Sequence, residues 1–152
     1  MRRKVIVGVC ALAVVGGALL LRSRGPRLSD EQLVVQAIVD LRRAVEAKDA
    51  GGALRQVSDS YSDGTYTKRE LAGLVVEAFR SPEPFHVQAE APAVTVKGES
   101  AIARLRVQLW VGKEVAVQDR QDLDITAEFR REGKRWKLVK ASRWEAAGGR
   151  LE

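Results

Sequence analysis

The chain has 152 residues, 45% hydrophobic and 30% charged, which leaves room for one folded domain plus an appendage and excludes a disordered chain. Its formal charge of +6 is unevenly placed: six of the 26 basic residues and none of the 20 acidic ones fall in the first 28 positions, so the remainder balances at 20 against 20. That neutrality argues against nucleic-acid binding by phosphate neutralisation, and a single cysteine and a single histidine offer neither a disulfide nor a zinc cluster.

The N-terminus reads as an address. A basic head, Arg2-Arg3-Lys4, precedes the 17 uncharged residues Val5–Leu21, and Arg22, Arg24 and Arg27 follow. As a helix this run would be about 25 Å long, at the short end for a hydrocarbon core of roughly 30 Å, with flanking Arg and Lys able to snorkel. Three readings stand side by side: an uncleaved signal-anchor, a signal peptide cleaved near Gly16-Gly17-Ala18, and a lipoprotein acylated at Cys10. The first places a single pass in a bacterial inner membrane with the domain in the periplasm. The other two make an exported lipoprotein or a secreted protein. Residues 1–28 are therefore set apart from a domain over 29–146 and a short tail over 147–152.

The domain opens with Ser29-Asp-Glu-Gln32, a capping box, followed by an apolar stripe at Leu33, Val34, Ala37, Ile38, Leu41 and Val45. Lys48–Gly52 breaks this helix, and a short second one is expected through Ala53, Leu54 and Val57. Residues 58–64 are rich in Ser, Asp and Gly and read as turns. Thr67-Lys-Arg-Glu70 is a second capping box ahead of the stripe Leu71, Leu74, Val75, Ala78 and Phe79, which Ser81-Pro-Glu-Pro84 stops. The period then changes from 3.6 to 2. Phe85, Val87 and Ala89 alternate with His86, Gln88 and Glu90. Extended segments follow at Ala93–Lys97, Ala101–Val111, Asp122–Arg130 and Arg135–Trp144, with a hairpin turn at Arg131–Lys134. Odd positions of the long strands (Ala103, Leu105, Val107, Leu109, Leu123, Ile125, Ala127, Phe129) make an apolar inner face. Even positions set Arg104 and Arg106 opposite Asp122, Asp124 and Glu128, as cross-strand ion pairs.

Three helices followed only by strands make an α+β chain. Long helix, short helix, the phrase V-S-D-S-Y-S-D-G around Tyr61, a third helix, a long central strand and the closing hairpin F-R-R-E-G-K-R-W-K-L-V resemble the nuclear transport factor 2-like (SnoaL-like) superfamily over Ser29–Trp144. The resemblance implies a cone-shaped domain of three N-terminal helices on a curved, mostly antiparallel sheet, here preceded by one transmembrane helix. It is nearest in plan to small bacterial members carrying a membrane or lipoprotein segment. Enzymes of this superfamily place Asp, His, Tyr or Arg inside the cone.

The candidates of that kind are few. His86 is the natural acid–base group, but its parity sets it with Gln88 and Glu90, away from the cone. Tyr61 with Asp59 and Asp63 would form a hydroxyl–carboxylate set at the cone mouth, in a segment whose composition equally suits turns. The pocket lining, Leu105, Val107, Leu109, Ile125 and Phe129, holds no acid, base or nucleophile and suits an apolar small ligand or a filled core. Trp110 interrupts a polar face and, with Arg104 and Arg106, marks a surface for a protein partner or a second copy of the chain. The expectation is a membrane-tethered, non-enzymatic binding or assembly module, without metal, cofactor or nucleic acid. The alternative is an isomerase, cyclase or hydrolase using polar groups at the cone mouth.

Overall fold

A computed structural model describes residues 27–113 and 120–142. Helix α1 (Asp30–Glu46) starts where the capping box requires: Ser29 Oγ accepts from the Gln32 N–H, and the Gln32 side chain accepts from the Ser29 N–H at 2.8 Å. Val34, Ile38, Leu41 and Val45 fall on its buried face.

Helix α2 (Ala50–Arg55) begins three residues earlier than the apolar spacing suggests. Asp49 caps it, accepting from the Gly52 N–H at 2.9 Å, so Gly51 and Gly52 are helical rather than breakers. A Cβ on Gly52 would collide with the Asp49 carboxylate that makes the cap, so this position favours glycine. Val57, expected in the helix, instead bridges to Leu138.

Helix α3 (Lys68–Phe79) carries the second capping box. The Thr67 backbone N–H and hydroxyl both donate to Glu70 at 2.8 Å and hold its carboxyl below its ordinary value. A depressed folded pKa means that the stabilisation is present above the unfolded value of 4.5 and is lost as pH falls through the lowered folded value. Glu70→Gln should therefore flatten the acid limb of α3 amide protection by lowering neutral-pH protection to near its acid value. An identical acid limb in both proteins would show that the cap does not titrate.

The sheet comprises β1 (Phe85–Ala89), β2 (Ala93–Lys97), β3 (Ser100–Val111), β4 (Gln121–Glu132) and β5 (Arg135–Ser142), in the order β1-β3-β4-β5 with β2 also on β3. These pairings are antiparallel. β1 and β2 are two halves of one bent edge. Ala89 lies opposite Val107 and Ala93 opposite Arg104, so four steps on one side span three on the other. This bulge sits at Ala91-Pro92, where a proline can be placed without losing a ladder bond. It flips the parity, so the inward residues pass from Phe85, Val87 and Ala89 to Val94 and Val96. A second irregularity, between Glu128 and Phe129, leaves Val139 as the extra residue of β5.

The outer edge of β5 is covered by the chain that follows α2. The Leu138 N–H donates to Gln56 O, and the Ser58 N–H donates to Leu138 O. Such cover keeps an edge from pairing with another chain. The β4–β5 turn needs two residues, with Gly133 at φ 63° and Lys134 not left-handed, the type II′ arrangement. Gly133→Ala should cost about 1–2 kcal/mol from the left-handed backbone, read as a lower urea midpoint at unchanged m. A neutral result would mean that the turn relaxes to another type.

Candidate functional site

The cone interior is the first place to look for chemistry, and among the described residues it is lined by buried, mutually packed apolar side chains. Leu105, Val107, Leu109, Ile125 and Phe129 are each 6% exposed or less and pack with Val34, Ile38, Leu41, Leu71 and Val75 from the helices. Among the described residues Ser58 is the polar or charged residue buried with them, and its hydroxyl donates to Glu132 at 2.6 Å.

The candidates at the cone mouth part company. Tyr61 is 2% exposed, and its hydroxyl donates to Asp63 at 2.8 Å. Burial, then the hydrogen bond and charge of Asp63, push the phenol well above its ordinary range, so it stays protonated. Asp63 accepts with its other oxygen from the Thr65 and Tyr66 N–H groups at 2.8 and 2.7 Å, an Asx turn. Both groups are thus used up in closing the turn over the core. Asp59 points elsewhere: its side chain is 94% exposed and bonds Lys68 at 2.6 Å. Hydrogen bonding to Lys68, and that charge, lower its pKa. The expected set therefore reduces to a Tyr61–Asp63 pair without Asp59. Tyr61→Phe should cost about 1–2 kcal/mol, the price of an unmade buried bond at Asp63, without altering the secondary structure. A loss below about 0.3 kcal/mol would show that water replaces the phenol.

His86 lies on the other side of the sheet. It is the cross-strand partner of Trp110, with ring centroids 5.1 Å apart and planes at 15°. From the opposite flank the Arg120 guanidinium lies over the same indole at 4.3 Å, the start of β4 bringing it there. Trp110 is consequently half-buried in a His–Trp–Arg stack rather than standing free. His86 Nε2 and Arg120 Nε are buried without a hydrogen-bond partner among the described residues. Arg120 is absent from the sequence-level candidates, because only the strand register brings it to Trp110.

Below this stack the ion pairs differ from those expected. Arg106 faces Asp124 and binds it at 3.0 Å, which raises the guanidinium pKa. Asp122 faces Gln108 and accepts from its amide at 2.9 Å. Arg104 faces Thr126, two residues from the nearest carboxylate in the register. The Arg106–Asp124 pair is exposed and, like most surface pairs, contributes little stability. Gln88, Ala89, Glu90, Arg106, Gln108 and Asp122 line a cavity of about 240 Å³. That is smaller than the few hundred Å³ that small-molecule sites occupy. Among the described residues no group of three or more His, Cys, Asp and Glu could hold a metal ion, and no helix is long and apolar enough to cross a membrane. Val5–Leu21, Cys10 and Trp144 lie outside those residues.

No family model matches the chain, and no curated protein matches it in sequence. Solved structures do match in fold. A nuclear transport factor 2-like protein of unknown function from Pseudomonas putida aligns at a TM-score of 0.66 and 17% identity, over 78% of this chain and 87% of that one. One from Cytophaga hutchinsonii aligns at 0.63 and 10%, over 76% and 97%. A candidate dehydratase of the same fold family from Streptomyces avermitilis aligns at 0.63 and 19%, over 77% and 97%. At these identities the likeness is one of fold: the domain has the nuclear transport factor 2-like architecture.

Proposed function

We propose that this chain is a non-enzymatic binding or assembly module, held by Val5–Leu21 at a bacterial inner membrane with its domain on the periplasmic side. The observation that carries the non-enzymatic reading is the buried, apolar lining of the cone among the described residues. A catalyst of the isomerase, cyclase or hydrolase kind needs convergent polar groups within hydrogen-bond reach of an open pocket. Here Tyr61 is closed off by Asp63, Asp59 is turned to Lys68, and His86 is on the far face of the sheet. What remains for recognition is the outer sheet face, with the Trp110 stack, Arg106, Arg104 and the exposed Ile102. Tethering suits such a module because it concentrates the face at the membrane where a partner would meet it.

The test is a photo-crosslinking residue at Gln108 in the full chain, expressed in bacterial membranes. One discrete adduct, lost in Trp110→Ala and absent when the probe sits at Glu77 on α3, is expected. Equal, diffuse adducts from both positions would sink the reading. The tether is checked separately, by whether the chain stays with alkali-washed membranes.

A further inference from the structure

The two edges of the sheet are closed by different means. β5 is bonded to the backbone that follows α2. At the other edge β1 is the terminal strand among those described, with β3 as its neighbour. The Glu90 N–H donates to Arg106 O and the Gly112 N–H to Pro84 O, so the even positions of β1 direct their backbone groups to β3. Phe85, Val87 and Ala89 therefore turn theirs outward, a row that serves as a template for another strand. The row is complementary to itself. A second copy turned about a two-fold axis at Val87 would set Val87 opposite Val87 and Phe85 opposite Ala89, each exchanging N–H and C=O with its counterpart. The buried side chains of both copies would stay on one face of the joined sheet.

Two side chains from the end of α1 stand in the way. Glu46 Oε1 accepts from the outward Val87 N–H at 3.2 Å, the donor at the centre of that pairing. Arg42, one helical turn back, pairs with Glu46 Oε2 at 3.4 Å. Lys48 is the second. It closes α1 in a left-handed conformation, φ 54°, with its N–H on Val45 O at 3.1 Å and the Asp49 N–H on Ala44 O at 2.8 Å. Glycine suits that position best. The lysine there carries an ammonium that donates to Ser81 O and lies 5.5 Å from the centre of the Phe85 ring, at the start of the same strand. We infer that Glu46 and Lys48 are a guard on the β1 edge, an internal contact that keeps a second copy of the chain from adding its own β1 there. The guard accounts for a lysine where the backbone favours glycine, because the ammonium is what reaches the strand. It concerns the edge and is independent of the reading of the outer face given above.

The test uses the full chain in a density-matched detergent, with sedimentation for mass and amide exchange, at high dilution, for Val87. Glu46→Ala should speed exchange at Val87 about tenfold, the equivalent of one hydrogen bond. Glu46→Ala/Lys48→Gly should form particles of twice the native protein mass at concentrations where the native chain does not. Adding Ala89→Pro should restore the native mass, because it removes an outward N–H without taking a bond from β3. Glu46→Gln keeps an acceptor and should behave as native. If circular dichroism shows Glu46→Ala unfolded, Glu46→Asp/Lys48→Gly, which retains the charge and loses the reach, should give the same doubling. Native mass in whichever double variant folds overturns the guard. Doubling that Ala89→Pro leaves in place puts the contact elsewhere and overturns it too, and unchanged exchange at Val87 removes Glu46 from the edge.

Discussion

Phe129→Ala is expected to destabilise the domain by about 3–5 kcal/mol, the range for emptying a buried aromatic site whose surroundings cannot collapse. Phe129 is 2% exposed on the inner face of β4, between Ala101 of β3 and Leu138 of β5 in the register. It follows directly on the β4–β5 irregularity, so the backbone on both sides is held by paired strands and cannot close inward. Against a total stability of 5–15 kcal/mol typical of such domains, this is a large fraction, and it should appear as a lower urea midpoint at unchanged m. The same variant tests the functional reading. If the cone is filled, the native protein takes up no benzene-sized apolar molecule and the variant acquires a dry cavity that does. A loss under about 1.5 kcal/mol, or saturable apolar binding by the native chain, would mean that the cone is open and would revive the ligand-binding alternative.

Trp136→Ala should cost a comparable amount, about 3–5 kcal/mol, for a different combination of reasons. The indole is 3% exposed and packs in the core, while its N–H reaches Asp30 at the start of α1. Trp136→Phe separates the two contributions. It retains a buried ring and loses a hydrogen bond that, at 3.3 Å, should be worth only about 0.5–1 kcal/mol. In a double-mutant cycle Trp136→Phe and Asp30→Ala should be non-additive by a similar amount. Additive losses would show that the indole merely lies near Asp30, and the hairpin would then lack the bond that positions it beside the entry of the chain.

These two residues illustrate how the fold and the candidate site divide between local and non-local information. The apolar parity of β3 and β4 was readable because alternation has period 2 whatever the partner strand is, and every inner-face residue it named is buried. His86 was placed on the polar face by the same reasoning, and there it is. Parity could not say what each polar residue meets. Arg104 and Asp122 look like ion-pair members in sequence, but the register gives them Thr126 and Gln108. Asp59 and Asp63 look equivalent around Tyr61. The chain's path along β5 turns one outward to Lys68 and closes the other onto the phenol.

Two of the three helix starts were legible because they depend on neighbours three positions away. Ser29 with Gln32 and Thr67 with Glu70 start their helices because side chain and backbone lie within one turn. Gly133 makes its turn because only its own φ is at stake. The bulge at Ala91-Pro92 that flips the edge strand, the extra residue at Val139, and the stack of His86, Trp110 and Arg120 follow from strand pairing alone. Each of these depends on which residue of a distant strand lies opposite, and a shift of one position would exchange the faces. That choice is made by the packing of the whole inner surface against the helices, which no single segment contains.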